Sequence, residues 1–409
     1  MKKNLLIILF SIVIFSCKKE SQIQSYNAPY EYSGALGDIV SIERKDSITP
    51  DEIRNLLPSQ FASILELKHK VYEYYITYKS LNKDDDTVLA SGLVFIPLID
   101  SFAVPLTSYQ HGTALAKNEV PSFGRGGEYV LNAALASGDG VVACVPDYLG
   151  LGVGEGLHLY LNPREEANSV RDILRAARKL VKQTSIVQLN EQVFLFGYSQ
   201  GGHATMSAQR QLELENREEF KLTASAPMAG PYALSRTSQF DVMLDSVFYP
   251  NPFYLPYLAV SLFNTFPVYS SYSAIFKSPY DQRIPAVING YNSSGYANSQ
   301  FPYYISSIVI DSVREAIRND PYHPIRIAAK GFDLVDDWTP TTPMKLYHCT
   351  GDDNVFYSNS VYADSVFRSK GANCELVDMG TQNHQDCAPS ALFVVKTWFT
   401  GLFAPIRIK

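Results

Sequence analysis

Residues 193–202 read VFLFGYSQGG and decide the fold of this 409-residue chain. The first four are a continuous apolar run, which is typical of a strand buried on both faces. A Gly-x-Ser-x-Gly pattern follows from Gly197 to Gly201, and a helix is predicted from there to about Glu215. This order predicts a sharp turn that lifts Ser199 above the end of a sheet strand.

A serine in such a turn is suited to nucleophilic attack. The flanking glycines let the strand and the helix approach closely, and the helix N-terminus favours developing negative charge. A serine hydroxyl is a weak nucleophile at neutral pH and needs a neighbouring base. We therefore predict that Ser199 is a nucleophile and that a base lies elsewhere in the chain.

The chain has seven histidines that could act as the base. Behind a turn of this kind, the acid and then the base follow the serine in the chain. That order leaves His323, His348 and His384. His323 falls in an irregular region and His348 on a predicted strand. His384 lies between the last predicted strand and the last helix, so it is the predicted base.

The acid is expected just after a strand predicted over residues 344–349. The next residues, 350–355, read TGDDNV and offer two aspartates. Asp352 precedes Val355 by three, a spacing that resembles a common hydrolase pattern. Asp352 is the predicted acid, and Asp353 is interpreted as a solvated loop carboxylate.

An oxyanion formed during attack on a carbonyl needs two backbone N–H donors. The residue directly after the nucleophile, Gln200, is predicted to supply one. The loop that begins with Gln110-His111-Gly112-Thr113 follows another strand, and Thr113 is predicted to supply the second. His111 is interpreted as a brace for this loop.

The rest of the chain alternates strands and helices, which predicts an α/β fold with a mostly parallel sheet flanked by helices. Strands are predicted at residues 71–79, 87–96, 103–109, 141–146, 193–196, 222–228, 344–349 and 375–379. Further helices are predicted at 128–137, 163–182, 359–370 and 389–399, with Asn162 as an N-cap. Residues 29–70 are expected to be irregular, with one short helix starting near Pro50.

Residues 235–340 interrupt the alternation of strands and helices and are rich in Tyr, Phe, Pro, Ser and Asn. They are predicted to form a cap insertion, so the core comprises residues 29–234 and 341–409. The aromatic side chains suit either an apolar substrate pocket or a satellite core for the insertion.

The N-terminus has the pattern of an export signal. A basic start precedes an apolar run from Leu5 to Phe15 that is short for a membrane span. Its end at Cys17 resembles the lipobox of bacterial lipoproteins, which implies a lipidated Cys17 after a signal peptide of residues 1–17. Residues 18–28 are predicted to be a polar tether. The alternative is a plain secreted protein with an incidental cysteine.

Composition and export bear on two questions: which class of partner the protein binds and how its cysteines pair. A net charge of −6 without a basic stripe argues against nucleic acid. Export places the remaining cysteines, Cys144, Cys349, Cys374 and Cys387, in an oxidising compartment, where three complete pairings are possible. Cys349 and Cys387 lie in neighbouring predicted loops and could pair, whereas Cys144 is predicted to be a buried thiol.

Three runs together resemble the secretory lipase group of the α/β-hydrolases. They are Tyr109–Thr113, Pro146–Gly150 and Gly197–Gly202, and the resemblance covers about residues 70–405. It implies the α/β-hydrolase fold and esterase or lipase activity on a small-molecule or lipid ester, without a metal or an organic cofactor. A cell-envelope location follows from the predicted lipid anchor.

Two other functions stay open. An exopeptidase or amidase would use the same nucleophile, base and acid, and an acidic pair among Asp333, Asp336 and Asp337 would then bind a free amino terminus. A non-catalytic surface lipoprotein would use the aromatic cap to bind a glycan or a lipid.

Overall fold

The structure is a computed structural model that describes residues 33–124, 126–236, 244–245 and 247–408. The predicted signal peptide, Cys17 and the tether lie outside these residues. Within the described ranges, no helix is both long and apolar enough to cross a bilayer.

One sheet organises the chain. Its strands are β1 (Ile39–Ile48), β2 (Val71–Leu81), β3 (Thr87–Pro97), β4 (Phe102–Gln110), β5 (Val142–Pro146), β6 (Gln188–Tyr198), β7 (Leu222–Met228), β8 (Met344–His348), β9 (Cys374–Asp378) and β10 (Ile406–Arg407). Their order is β1-β2-β3-β5-β4-β6-β7-β8-β9, and β10 pairs with β4. Neighbours from β5 to β9 are parallel, whereas β1, β2 and β3 join antiparallel at one edge.

Helices cover both faces of this sheet and fill the interval between β7 and β8. In the core they are α1 (Pro50–Leu56), α2 (Ser59–Ala62), α3 (Gly127–Asp139), α4 (Pro163–Thr184) and α5 (Gln200–Glu215), followed near the end by α11 (Ser358–Ser369) and α12 (His384–Thr400). Between β7 and β8 lie α6 (Tyr254–Thr265), α7 (Tyr280–Val287), α8 (Ser294–Ser299), α9 (Asp311–Asn319) and α10 (Pro324–Lys330). The predicted α/β fold with a mostly parallel, helix-flanked sheet is confirmed.

The second half of β6 shows why residues 193–196 form a continuous apolar run. Side chains alternate between the two faces of a strand. Phe194 and Phe196 pack in a cluster with residues of α3 and α12, and Val193 and Leu195 pack in a cluster with residues of α4 and α5. Helices on both faces leave no solvent-facing side on residues 193–198 of this strand.

The structure corrects two predicted boundaries. Strand β1 lies within the region expected to be irregular. It is an edge strand with several polar residues, and its pairing with β2 is interrupted by two register shifts, so its sequence gives no clear strand pattern. Helix α12 begins at His384 rather than Pro389, because the side chain of Asn383 accepts the Asp386 N–H and caps the helix earlier. His384 is therefore the first residue of a helix and not part of a loop.

Candidate active site

Ser199 lies at the junction of β6 and α5 in an unusual backbone conformation. Its φ is 63° and its ψ is −122°, a combination that residues with a Cβ adopt rarely. The Ser199 N–H donates a hydrogen bond to the Met228 carbonyl at 2.9 Å, which ties the turn to the end of β7. The chain thus reverses sharply at the serine, as the sequence predicts.

The glycines after Ser199 are required for close backbone contact. A Cβ on Gly201 would collide with the Gln110 carbonyl at the end of β4, and a Cβ on Gly202 would collide with the Met228 carbonyl. The turn is therefore wedged between the ends of two neighbouring strands.

His384 and Asp352 meet across the loops that follow β8 and β9. The His384 Nδ1 lies 2.6 Å from Asp352 Oδ2. The other carboxylate oxygen, Oδ1, accepts the backbone N–H groups of Asn354 at 3.0 Å and Val355 at 2.8 Å. Asp353 is exposed and accepts the His384 backbone N–H instead, at 3.2 Å. The structure thus brings Asp352, and not Asp353, to the imidazole ring.

Asp352 is held in its charged form. Burial opposes ionisation, but hydrogen bonds from His348 and His384 outweigh it and lower the pKa of Asp352 to about 2. At neutral pH the carboxylate is ionised and accepts the His384 Nδ1–H. This leaves Nε2 of a neutral His384 as the ring nitrogen with a free lone pair.

Tyr198 connects the serine turn with the histidine. Its ring centroid lies 4.9 Å from that of His384, and its hydroxyl donates to the His384 carbonyl at 2.7 Å. Because Tyr198 directly precedes Ser199, these contacts bring the start of α12 beside the turn.

A disulfide joins the start of the loop that carries Asp352 to helix α12, which begins with His384. Cys349 and Cys387 are bonded, the pair that the sequence suggested, and none of the three complete pairings of four cysteines forms. Cys144 is a buried free thiol, as predicted, and Cys374 is also free and buried. Burial raises the pKa of both thiols to about 12, so neither is ionised at neutral pH.

Glu128 of α3 holds the loop that contains Thr113 in place. The Glu128 carboxylate accepts the Gly112 N–H at 2.9 Å and the Tyr109 hydroxyl at 2.8 Å. His111 packs its ring 4.2 Å from that of Tyr148, whose hydroxyl donates to the His111 carbonyl. These contacts support a bracing role for His111, and Glu128 is a brace that the sequence analysis missed.

Aromatic side chains pack over Thr113. The Thr113 hydroxyl donates to Tyr160 at 3.3 Å, and Tyr160 stacks on Tyr257 of α6 at 4.7 Å. Tyr257 also donates its hydroxyl to the Ala114 carbonyl at 3.1 Å. The opposite face of α6 packs Leu255, Leu258 and Leu262 into an apolar cluster of the inserted helices.

A buried polar network surrounds the side chain of Gln200. Its amide nitrogen lies 2.6 Å from His158 Nε2 and 3.0 Å from Glu166 Oε1. Glu166 also binds His203 Nδ1 at 2.6 Å, and His203 Nε2 contacts the Phe332 carbonyl at 3.1 Å. The network extends from the residue after Ser199 to the inserted helices. No local pattern marks it, since its members come from four separate segments.

His348 is a second histidine on Asp352 and was interpreted only as a strand residue. Its Nε2 lies 3.1 Å from Asp352 Oδ2, the same oxygen that contacts His384. The spacing of four residues across a strand end is the one local signal for this contact.

Among the described residues, no group of three His, Cys, Asp or Glu side chains is arranged to hold a metal ion.

Comparisons with known proteins find a matching family model and similar solved structures. A family model of secretory lipases matches residues 126–216, which include the Ser199 turn. A Legionella pneumophila protein assigned as a hydrolase superposes with a TM-score of 0.82 at 27% identity, over 89% of this chain and 97% of its own. The rice cell wall degrading esterase LipA of Xanthomonas oryzae gives 0.78 at 28% identity, over 90% and 97%.

A more distant structure shares the fold. Candida antarctica lipase A in its closed state gives a TM-score of 0.68 at 18% identity, over 90% of this chain and 83% of its own. A search of curated proteins finds no match.

Proposed function

We propose that this chain, an α/β-hydrolase that resembles the secretory lipases, is a serine ester hydrolase that works through an acyl-enzyme on Ser199. The observation that carries the proposal is that the Ser199 turn lies beside the pair formed by His384 and Asp352. Tyr198 contacts His384 next to Ser199, and Asp352 Oδ2 lies 2.6 Å from His384 Nδ1. The esterase activity named for the Xanthomonas oryzae relative supports an ester as the substrate.

In the proposed reaction, Ser199 attacks the ester carbonyl while His384 Nε2 takes the hydroxyl proton. The carbon–oxygen bond to the alcohol then breaks, and His384 returns the proton to the leaving alkoxide. Water attacks the acyl-enzyme by the same route and releases the acid. Asp352 keeps the imidazole oriented and stabilises its charged form, for which its own ionised state is suited.

The backbone N–H groups of Gln200 and Thr113 are the proposed oxyanion donors. Gln200 is the first residue of α5, where N–H groups have no partner inside the helix. The Glu128 carboxylate already accepts the Gly112 N–H, so it fixes the loop beside Thr113. Donors fixed in this way need little rearrangement as charge develops.

The proposed cap comprises residues 235–340. Tyr254 and Tyr257 of α6 lie in it, and Tyr160 stacks between this helix and Thr113. This aromatic cover suits a small-molecule or lipid ester with an apolar acyl group. Acyl chain length and alcohol identity are matters for the assay below.

An exopeptidase or amidase is less well supported than an esterase. The three acids considered for binding an amino terminus have other partners. Asp333 accepts from Ser235, Asp336 pairs with Arg236, and Asp337 pairs with Arg210. A non-catalytic ligand-binding protein would have no use for the strained Ser199 conformation or for the ionised Asp352.

For the location, we propose an envelope protein anchored through a lipid on Cys17, with the body held by residues 18–28. The supporting feature is the apolar run that ends at this cysteine. Radiolabelled palmitate should enter the wild-type protein in a bacterial host and be absent from Cys17→Ala. Equal labelling of the two would contradict the anchor and favour plain secretion.

The test of the function uses the full chain purified in mild detergent. A fluorophosphonate should label Ser199, as located by peptide mass spectrometry, and p-nitrophenyl esters from acetate to palmitate should be hydrolysed with a chain-length optimum. Ser199→Ala should lose about 10⁴-fold or more in turnover, and the control Ser207→Ala, in the helix that follows Ser199, should retain it. Equal turnover by Ser199→Ala and wild type would refute the proposal.

A further inference from the structure

Asp352 accepts four hydrogen bonds, which is more than orienting a single histidine requires. Two come from backbone N–H groups to Oδ1, and two come from histidine rings to Oδ2. The carboxylate is 5% exposed and His348 is fully buried. One of the two oxygens is thus shared between His384 and a histidine that has no part in proton transfer.

The contacts of His348 define its protonation state. Its Nε2 faces two acceptors, Asp352 Oδ2 at 3.1 Å and the Val355 carbonyl at 2.9 Å, so this nitrogen carries the hydrogen. Its Nδ1 lies 2.7 Å from the Ser360 hydroxyl, which can donate. A neutral ring protonated on Nε2 satisfies all three contacts, with Ser360 selecting this tautomer.

We propose that His348 is a positioning residue that fixes Asp352 Oδ2 and sets how strongly this carboxylate stabilises protonated His384. The inference rests on the proposed function, because it assigns a role within the same site. A neutral donor on Oδ2 takes up part of the electron density that His384 would otherwise receive. His348 thereby keeps His384 easier to deprotonate and available as a base at lower pH.

The other groups around these rings do not replace this effect. Tyr198 and Tyr357 contact the two histidines through their rings, at 4.9 Å from His384 and 5.5 Å from His348. Asp353 reaches His384 only through its backbone N–H. Asp378, which pairs with His348 across β8 and β9, is exposed and its charge is screened by solvent.

Removal of the His348 N–H donor should shift the pH dependence of ester hydrolysis in a defined direction. In His348→Met, Oδ2 would have His384 as its one remaining histidine partner and would stabilise the protonated ring more strongly. The pKa that governs the acid limb of kcat/KM for p-nitrophenyl acetate should rise by about half a pH unit. The plateau of kcat/KM should fall by roughly tenfold, because the carboxylate also loses a contact that fixes its orientation.

A conservative variant separates this role from a structural one. The amide nitrogen of Gln reaches the place of Nε2, so His348→Gln should return the acid limb to within about 0.2 pH units of wild type. Ser360→Ala should give a shift of the same sign and smaller size. An unchanged acid limb in His348→Met, or a shift in His348→Gln as large as in His348→Met, would overturn the proposal.

A second measurement does not depend on turnover. In protein labelled with ¹⁵N-histidine, an NMR titration should show a raised His384 pKa in His348→Met and a restored value in His348→Gln. If Ser199 fails to react with the fluorophosphonate while this shift is present, the proposed function is wrong and the positioning role stands. If Ser199 reacts and the shift is absent, the positioning role is wrong. If His348→Met does not fold, Ser360→Ala gives the same two readings.

Discussion

Backbone packing places Ser199, whereas side-chain hydrogen bonds and a disulfide place Asp352 and His384. On the serine side, Gly201 and Gly202 let the turn fit between the ends of β4 and β7. On the acid–base side, the two side chains are 32 residues apart in the chain and meet through a 2.6 Å contact. The first half is a local structure, and the second exists only when the loop after β8 is held against the start of α12.

This difference predicts different responses to substitution. A change in the turn should disturb packing first and chemistry as a consequence. A change in the acid–base half should affect chemistry while leaving most of the fold intact, because its polar contacts lie at the end of β8 and the start of α12, at the edge of the core.

The largest effect is expected at Asp352. In Asp352→Asn the amide cannot stabilise protonated His384 and disfavours the tautomer that catalysis needs, so kcat/KM should fall about 10⁴-fold. The matched control is Asp353→Asn, which keeps an oxygen for the His384 backbone N–H and should lose less than about threefold. Ester hydrolysis by both variants checks this, and similar losses would mean that the acid is misassigned.

The disulfide should follow. Cys349 and Cys387 close a loop with a sequence separation of 38, and by chain entropy the loss of such a link costs about 4 kcal/mol. The double variant Cys349→Ala/Cys387→Ala should show this decrease in the free energy of unfolding by urea, together with reduced turnover. Cys374→Ala, which removes a buried free thiol, should keep full turnover. Unchanged stability in the double variant would show that the loops are held by other contacts.

A smaller effect is expected at the turn. Gly201→Ala should reduce the free energy of unfolding by about 1–3 kcal/mol, because its Cβ would overlap the Gln110 carbonyl. Gly295→Ala is the control, since its Cβ would meet no heavy atom within 4 Å. Denaturation of both variants measures the difference. Equal stability would mean that the turn relaxes and is not wedged between the strands.

The smallest effect concerns pH and the network behind Gln200. Burial lowers the pKa of His158 to about 3, whereas an unfolded histidine titrates near 6.5. The unfolded chain therefore binds this proton first, and the free energy of unfolding should fall as pH decreases from about 6.5 towards 3, by about 1 kcal/mol per pH unit. Urea titrations between pH 7 and 5 should show a weaker slope in His158→Asn. Identical slopes would argue that His158 is not held neutral.

Local patterns predicted the elements that carry the site. The buried strand that leads into Ser199 and the parallel strand β5 were recognisable from continuous apolar runs, and helix α4 from its cap Asn162. Strands β7 and β8 were also predicted, although they include polar residues such as Ser225 and Lys345. The first strand and the early start of α12 were missed. In β1 the polar side chains of an edge strand carry no apolar period, and in α12 Pro389 suggested a helix start that Asn383 supplies instead.

The site divides in the same way. The sequence by itself determined the sharp turn at Ser199 and the order in which the proposed acid and base follow it, since both depend on short runs and on strand direction. The tertiary structure decided that Asp352 rather than Asp353 contacts His384, that Cys349 pairs with Cys387, and that His348 shares the carboxylate. These contacts join the end of β8, the loop after it and the start of α12, whose separation in space depends on the whole sheet, and no local pattern fixes that distance.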